Sequence, residues 1–245
     1  AKLLRASNLF LGAMLGRQQE ATVSLPGGCD IGSRPMDLHI KGIQALGAEV
    51  SIEHGYIFAR ILNPGGSRIY LDFPSVGATE NIMMMASKTP GISIIENAAK
   101  EPEIVDLANF INSMGGRIRG AGTDVIKIEG VKELKACRYA IIPDRIEAGT
   151  YMVAAAISGG EVMVENVIPT HLHPIVAKLQ ETGAEVKETN GGILVRAADK
   201  ILPVDIKTLP YPGFPTDMQS QMMALLSLGQ GSSVIVENVF ENRFQ

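Results

Sequence analysis

The sequence predicts an α/β fold built from a repeated unit of about 70 residues. Three observations indicate this fold. An amphipathic helix ending in glycine recurs three times, a helix that is apolar on almost every side recurs with it, and a Glu-Asn pair follows a β-like run in each copy. The unit therefore contains two helices and several short strands, with one helix type central and the other amphipathic.

The amphipathic helix sets the spacing of the repeat. Its copies lie in "LHIKGIQALGAEVSI", "LANFINSMGGRIRG" and "IVAKLQETGAEVKE". Their glycines, Gly47, Gly115 and Gly183, are 68 residues apart (115 − 47 and 183 − 115). Glycine tolerates the left-handed conformation at a helix end, so we expect each helix to end there. Each copy then continues into a strand, a turn and another strand, with Asn190-Gly191 as one such turn.

The second helix type is expected in the interior. Its copies open with Gly or Pro and a threonine, at Thr79, Thr150 and Thr216, and "RASNLFLGAMLG" looks like a fourth copy. A helix that is apolar on all sides must be buried on all sides. The third marker of the repeat is the Glu-Asn pair, found at Glu96-Asn97, Glu165-Asn166 and Glu237-Asn238.

Neither end of the chain coincides with a boundary of this repeat. The chain starts inside one copy, and it stops at Gln245, shortly after the Glu-Asn pair of another. We therefore expect a fragment of a longer protein.

Composition restricts the class of function. The chain has 245 residues, 46% of them apolar, and a net charge of −4 with 22 scattered basic residues. It can bury a large core, while nucleic acid and anionic membranes are poor partners. We find no span long enough to cross a bilayer and no signal peptide. Two distant cysteines, Cys29 and Cys137, and four histidines without ligand spacing suggest no disulfide, no metal and a cytoplasmic location.

The stretch "LPGGCDIGSRPMDLH" places a thiol on a glycine-rich loop. Arg34 and backbone amides freed by the glycines would favour the thiolate of Cys29, whereas Asp30 would oppose it. Cys29 is either a small buried apolar residue or a functional thiol, and its loop composition fits the first reading badly. Cys137 fits the first reading well.

Two helix starts are candidate anion sites. Arg34-Pro35 and Asp37 are ordinary features of a first helical turn, or Arg34 and the helix-start amides hold an anion or nucleotide. Ser75, Val76 and Gly77 lead into a buried helix whose first amides are expected to have no other partner. The sequence signal at either site is weak on its own.

A lone carboxylate, Asp217, follows the proline-rich stretch "PYPGFP" at the start of another buried helix. It is either an ordinary acid of a first helical turn or a general base held partly desolvated in a cleft.

Several of these segments together resemble one family. They are "LPGGCDIGSRPMDLHIKGIQALGAEV", "IIENAAKEPEIVDLANFINSMGGRIRGAGTDVIKIEG", "PDRIEAGTYMVAAAISGG", "FPTDMQSQMMALL" and "ENVFENRF". In this order they resemble the enolpyruvyl transferases, and among them the UDP-N-acetylglucosamine 1-carboxyvinyltransferase family. The resemblance covers essentially all 245 residues.

The resemblance implies an inside-out α/β barrel, or α-β prism. It has two similar domains of repeated β-α-β-α-β-β units, with central buried helices and sheets outside. We expect the boundary near Pro143-Asp144, with a first domain at 1–143 that is incomplete at its N-terminus. Residues 144–245 would be part of a second domain that is incomplete at its C-terminus. The family's N-terminal Lys-Asn pair and C-terminal Arg are absent, so we expect this chain by itself to turn over poorly or not at all.

The resemblance also implies a reaction. The enolpyruvyl group of phosphoenolpyruvate moves to the 3-hydroxyl of UDP-N-acetylglucosamine and phosphate leaves, the first committed step of bacterial peptidoglycan synthesis. No cofactor, metal, nucleic acid or membrane is involved. Cys29 matches the proton donor and the thiol alkylated by fosfomycin, Asp217 matches the group that takes the hydroxyl proton, and Arg34 matches a catalytic cation. The positions that match substrate contacts are Arg5, Arg34, Pro35, Met36, Asp37, Leu38, Ser75, Val76, Gly77, Asp217 and Val239.

Two alternatives stay open. The sister enzyme that uses shikimate 3-phosphate has the same fold and chemistry, although the Cys29 loop and "ENVFENRF" favour the sugar nucleotide. A non-catalytic repeat protein could bind a UDP-sugar without turnover, although Cys29, Arg34 and Asp217 in one chain argue against it.

Overall fold

The computed structural model of the chain describes residues 5–26, 36–240 and 242–244. The chain divides into two compact units, unit 1 (Ala1–Ala140) and unit 2 (Ile141–Gln245). Each unit has its own apolar core and is built from the same succession of helices and strands. The repeated α/β fold is therefore confirmed.

Unit 1 contains two copies of the repeat. The first runs through α1 (Phe10–Gln18), β1 (Glu20–Ser24), α2 (Asp37–Ala45), β2 (Ala48–Glu53) and β3 (Tyr56–Ile61), preceded by the 3-10 helix Arg5–Leu9. The second runs through β4 (Arg68–Tyr70), α3 (Val76–Ala86), β5 (Ile92–Glu96), α4 (Pro102–Ser113), β6 (Arg117–Arg119) and β7 (Val125–Glu129). This second copy has the full order β-α-β-α-β-β.

Unit 2 repeats the same elements. They are α5 (Arg145–Ser158), β8 (Glu161–Glu165), the 3-10 helix Pro169–His171, α6 (His173–Glu181), β9 (Glu185–Thr189), β10 (Gly192–Arg196), β11 (Ile206–Lys207), the 3-10 helix Thr216–Met218, α7 (Gln219–Leu226) and β12 (Ile235–Val236). Helix α5 starts where the Asp144 carboxylate accepts hydrogen bonds from the backbone N–H groups of Ile146 (2.7 Å) and Glu147 (3.2 Å).

The sheets show the same repeat in their strand order. The orders are β1-β3-β2 and β4-β5-β7-β6 in unit 1, and β8-β10-β9 and β11-β12 in unit 2. The pairs β4-β5 and β11-β12 are parallel, and the other pairs are antiparallel. Along β7, buried Ile126 and Ile128 alternate with exposed neighbours, so one face of the sheet covers the core.

The glycine-terminated helices are confirmed. Gly47 and Gly115 have φ of 97° and Gly183 has φ of 95°, each just beyond the last turn of α2, α4 and α6. A side chain with a Cβ is strained in this left-handed region, so glycine at a fixed spacing marks three equivalent helix ends.

The expectation of complete burial is most nearly met by α3 and is wrong for the other three central helices; in α1, Phe10 is 58% exposed. Helix α3 packs against α1, α2 and α4, and most of its residues are buried. In α5, the Tyr151 side chain is 59% exposed, and Met223 in α7 is 41% exposed. These two helices pack on each other and α5 also on α6, which leaves one apolar side uncovered. No helix in the described part of the chain is long and apolar enough to cross a bilayer.

Candidate active site

Three predicted site residues, Cys29, Arg34 and Pro35, lie outside the described residues. Arg5 begins the 3-10 helix Arg5–Leu9, but its side chain is also outside the description. The other predicted positions fall in two groups, one in unit 1 and one in unit 2.

The start of α2 carries the first group. Met36 precedes the helix and is buried, and its carbonyl accepts a hydrogen bond from the N–H of Ile40 (2.9 Å). Asp37 is exposed in the first turn, and Leu38 is half-buried against the core. The Met36 side chain is therefore part of the core of unit 1, and its carbonyl belongs to the first turn of α2.

The turn into α3 carries the second set of unit 1 positions. The Ser75 hydroxyl accepts a hydrogen bond from the N–H of Ala78 (3.3 Å), so one of the first amides of α3 is capped. The expectation that these amides have no other partner is wrong at that position. Val76 is half-buried, and a Cβ added at Gly77 would lie 3.1 Å from Cε1 of His39. Gly77 thus lets the turn lie directly against α2.

A buried polar network, the Asn81 network, joins these segments; its members are Asn8, Gly12, His39 and Asn81. The side-chain oxygen of Asn81 accepts from the N–H of Gly12 (2.7 Å), and its NH2 group donates to the carbonyl of Asn8 (3.1 Å). The same NH2 group lies 2.8 Å from Nδ1 of His39. The network therefore ties the 3-10 helix Arg5–Leu9, α1, α2 and α3 together next to the predicted binding positions.

The network also fixes the state of His39. Since the NH2 group of Asn81 is a donor, Nδ1 of His39 accepts and the ring proton sits on Nε2. Burial lowers the pKa of His39 to about 4, and the nearby Asp37 carboxylate opposes this only in part. The imidazole is therefore neutral at physiological pH and acts here as a structural acceptor.

Helix α3 also carries a perturbed acid. Burial, together with the charges of Glu103 and Glu101, raises the pKa of Glu80 to about 7. Glu80 is thus partly protonated near neutral pH. Among the described residues, no group of three or more His, Cys, Asp or Glu side chains is placed to hold a metal ion.

Unit 2 places Asp217 beside an arginine. Asp217 lies in the 3-10 helix Thr216–Met218, and its Oδ1 is 2.8 Å from a guanidinium nitrogen of Arg243. The same nitrogen donates to the Thr216 hydroxyl (3.1 Å), and the guanidinium lies 5.7 Å from the Phe240 ring centre. The Asp217 side chain is 45% exposed. The half-exposed carboxylate is therefore paired with a cation, and its expected role as a partly desolvated general base stays a prediction.

Val239 lies in a turn held by the Glu237 carboxylate. Oε1 of Glu237 accepts from the N–H groups of Val239 (2.8 Å) and Phe240 (3.1 Å) and from the hydroxyl of Thr208 (2.8 Å). Its Oε2 accepts from the hydroxyl of Thr216 (3.0 Å). We call this set, with Arg243 and Asp217, the Glu237 network.

Sequence reasoning missed several of these residues. Asn81 is a single amide in an apolar helix. A polar residue in a helix expected to be buried needs a hydrogen-bond partner, and this requirement could have identified it. His39 stands in the quoted "RPMDLH" motif and Arg243 in "ENRF", but neither motif shows which residue the side chain will meet.

Comparison with known proteins identifies the family. The family described as EPSP synthase (3-phosphoshikimate 1-carboxyvinyltransferase) matches residues 1–245. UDP-N-acetylglucosamine 1-carboxyvinyltransferase 1 of Caldanaerobacter subterraneus subsp. tengcongensis is 60% identical over 243 residues, which is 99% of this chain and 59% of that protein. UDP-N-acetylglucosamine 1-carboxyvinyltransferase of Halothermothrix orenii is 57% identical over 244 residues, 100% of this chain and 59% of that protein. The chain thus spans 59% of the length of these relatives.

Solved structures agree on the fold. The enolpyruvyl transferase NikO from Streptomyces tendae aligns with a TM-score of 0.82 at 21% identity, covering 98% of this chain and 58% of that chain. EPSP synthase from Acinetobacter baumannii aligns with a TM-score of 0.60 at 19% identity, covering 94% of this chain and 55% of that chain. Since the family match extends over all 245 residues and the architecture agrees, the chain belongs to the EPSP synthase family of enolpyruvyl transferases.

Proposed function

We propose that the protein carrying this chain transfers the enolpyruvyl group of phosphoenolpyruvate to the 3-hydroxyl of UDP-N-acetylglucosamine, with release of phosphate. The observation that carries the proposal is 60% identity, over 99% of this chain, to a relative named UDP-N-acetylglucosamine 1-carboxyvinyltransferase 1. The step would begin bacterial peptidoglycan synthesis in the cytoplasm, and the proposal uses no metal or cofactor.

The proposed chemistry is addition followed by elimination. Cys29 donates a proton to C3 of phosphoenolpyruvate, which makes C2 electrophilic. The sugar 3-hydroxyl adds to C2 while Asp217 takes its proton. Loss of a proton from C3 and of phosphate from C2 then restores the double bond in the product. Arg34 and Arg5 would stabilise the negative charge of the phosphate and of the developing intermediate.

The sugar nucleotide would contact Arg34, Pro35, Met36, Asp37 and Leu38 and the turn Ser75, Val76 and Gly77, together with Asp217 and Val239. The Asn81 network supports this assignment for unit 1, because it holds the first turn of α2, through His39, against the middle of α3. We further propose 1–143 and 144–245 as the first domain and part of the second.

The direct test is phosphate release from phosphoenolpyruvate with each of two acceptors, by the whole protein. We expect release with UDP-N-acetylglucosamine and none with shikimate 3-phosphate. Release only with shikimate 3-phosphate would overturn the choice of acceptor, and binding of the sugar nucleotide without any release would support a non-catalytic binder.

The thiol is tested by intact mass after incubation with fosfomycin. We expect one adduct that forms faster when UDP-N-acetylglucosamine is present, because the proposal places Cys29 beside the substrates. Cys29→Ser should abolish the adduct and most turnover, whereas the matched control Cys137→Ser should change neither. Equal slow labelling of both cysteines would contradict the assignment.

A further inference from the structure

The Glu-Asn pair of the repeat makes one similar contact in both units. The Asn97 side chain donates to the carbonyl of Leu71 (2.8 Å), directly after β4. The Asn238 side chain donates to the carbonyl of Thr208 (3.1 Å), directly after β11. In each unit the asparagine therefore links the strand that precedes the pair to the end of its parallel partner strand.

The glutamates of the two pairs differ. Glu96 forms an ion pair with Arg68 (2.7 Å), and the Arg68 side chain is 69% exposed. Glu237 instead accepts four hydrogen bonds, from the hydroxyls of Thr208 and Thr216 and from the N–H groups of Val239 and Phe240. Glu96 thus pairs with an exposed arginine, whereas Glu237 holds together the segments that donate to it.

Four donors on one carboxylate fix its orientation. Thr208 is fully buried, so the hydroxyl that it donates to Oε1 has little access to competing water. Hydrogen bonds to an ionised carboxylate are roughly twice as strong as neutral ones. Glu237 therefore holds the Val239–Phe240 turn and Thr216 in one fixed relation.

Thr216 connects Glu237 to Asp217 through Arg243. Its hydroxyl hydrogen points to Glu237, so its oxygen lone pairs are free to accept from Arg243, which they do at 3.1 Å. The same guanidinium nitrogen then meets Oδ1 of Asp217 at 2.8 Å. The order of contacts is Glu237, Thr216, Arg243 and Asp217.

We propose that Glu237 is a positioning residue that sets Asp217 through Thr216 and Arg243 and shapes the turn that presents Val239. The inference rests on the proposed function, in which Asp217 accepts the sugar hydroxyl proton and Val239 contacts the nucleotide sugar. Glu237 is not among the positions that match substrate contacts. Loss of its link to Thr216 alone should therefore lower kcat more than it changes the apparent affinity for the sugar nucleotide.

The kinetic test compares Glu237→Gln with Glu96→Gln, the same change in the other unit. The Gln carbonyl can still accept from the turn amides, but its NH2 group cannot accept the Thr216 hydroxyl proton. We expect kcat to fall about 10- to 100-fold with the KM for UDP-N-acetylglucosamine changed by less than about threefold, because catalysis is sensitive to small displacements of a reacting group. Glu96→Gln should leave both constants within about twofold, since it removes an exposed pair.

Two further variants test the route through Thr216. Thr216→Val should reproduce the loss in Glu237→Gln, and Thr216→Ser should restore turnover because it keeps the hydroxyl. The double variant Glu237→Gln/Thr216→Val should be no slower than either single variant, because both remove the same link. Losses that multiply in the double variant, or an unchanged kcat in Glu237→Gln, would overturn the inference.

A measurement without substrate separates this inference from the proposed function. Glu237→Ala removes the acceptor of the Val239 and Phe240 amides, so their hydrogen exchange should speed up about tenfold or more, with no such change in Glu96→Ala. If the wild-type protein transfers no enolpyruvyl group, the proposed function fails, and this exchange result decides whether Glu237 organises the turn. Unchanged exchange at both amides would show that it does not.

Discussion

The two units each hold a polar network beside a central helix, but the networks are built in opposite ways. In the Asn81 network of unit 1, Asn81 is fully buried and its partners are neutral. In the Glu237 network of unit 2, Glu237, Asp217 and Arg243 are charged, and the Asp217 side chain is 45% exposed. A dry, neutral network fixes geometry, whereas a charged one at the surface can exchange protons with a ligand. We expect the first to contribute mainly to stability and the second mainly to chemistry.

The largest effect should come from removing the centre of the buried network. Asn81→Leu leaves the Gly12 N–H, the Asn8 carbonyl and Nδ1 of His39 without their partner, and it should destabilise the chain by about 3 to 5 kcal/mol. Urea unfolding followed by circular dichroism measures this. The exposed Asn109 on α4 provides the control, because Asn109→Leu should change stability by no more than about 0.5 kcal/mol. Equal effects would mean that the buried network does not stabilise unit 1.

A steric change should break the same network without removing a polar group. A Cβ at Gly12 would lie 2.3 Å from the backbone oxygen of Asn81 and 2.7 Å from its side-chain oxygen. Gly12→Ala should therefore cost about 2 to 3 kcal/mol in the free energy of unfolding, measured as above. Gly65→Ala is the matched control, since a Cβ there meets nothing within 4 Å. An unchanged free energy of unfolding in Gly12→Ala would show that α1 and α3 can move apart without loss of stability.

The negative charge of Glu80 on α3 should lower the free energy of unfolding, by an amount that depends on pH. The pKa of Glu80 is about 7 in the folded chain, above its ordinary value of 4.5, so the folded state favours the protonated acid. The penalty is absent below pH 4.5, grows as pH rises to 7 and is complete above it. At pH 8 the free energy of unfolding of Glu80→Gln, measured by urea titration, should therefore exceed that of wild type by about 2 kcal/mol. At pH 4.5 the two values should be similar. A stability difference that is the same at both pH values would contradict this account.

The smallest stability effect should come from the exposed network. Asp217→Asn removes a half-exposed charge, so the free energy of unfolding should change by no more than about 1 kcal/mol. Under the proposed function the same change should lower kcat about 100-fold or more, because it removes the general base. Phosphate release and urea unfolding on the same protein sample measure both. A large loss of stability with turnover retained would reverse the contrast between the two networks.

Local patterns predicted the repeat well. The ends of α2, α4 and α6 follow from glycines at a fixed spacing, because a left-handed helix cap is a property of a few neighbouring residues. The exposure of Tyr151 and Met223 could not be predicted in the same way. A helix that is apolar on all sides is expected to be buried, but its own sequence does not show which elements pack against it.

The predicted site was recovered unevenly. The Ser75 turn and the start of α2 were found as separate motifs, but their contact depends on Gly77 lying against His39, which no local pattern contains. Arg243 stood in a quoted motif, yet its partner Asp217 lies in a different segment. Long-range polar contacts of this kind arise from tertiary packing, so single-sequence reasoning identifies the residues more readily than the pairs.

The equivalent hydrogen bonds of Asn97 and Asn238 have a consequence for how copies of the repeat can differ. Because the asparagine makes the same contact in both copies, the glutamate before it can have different partners without loss of that contact. In unit 1 the glutamate pairs with Arg68, and in unit 2 it accepts four hydrogen bonds beside Asp217. A modular chain of this kind can acquire new chemistry in one module while the others preserve the architecture.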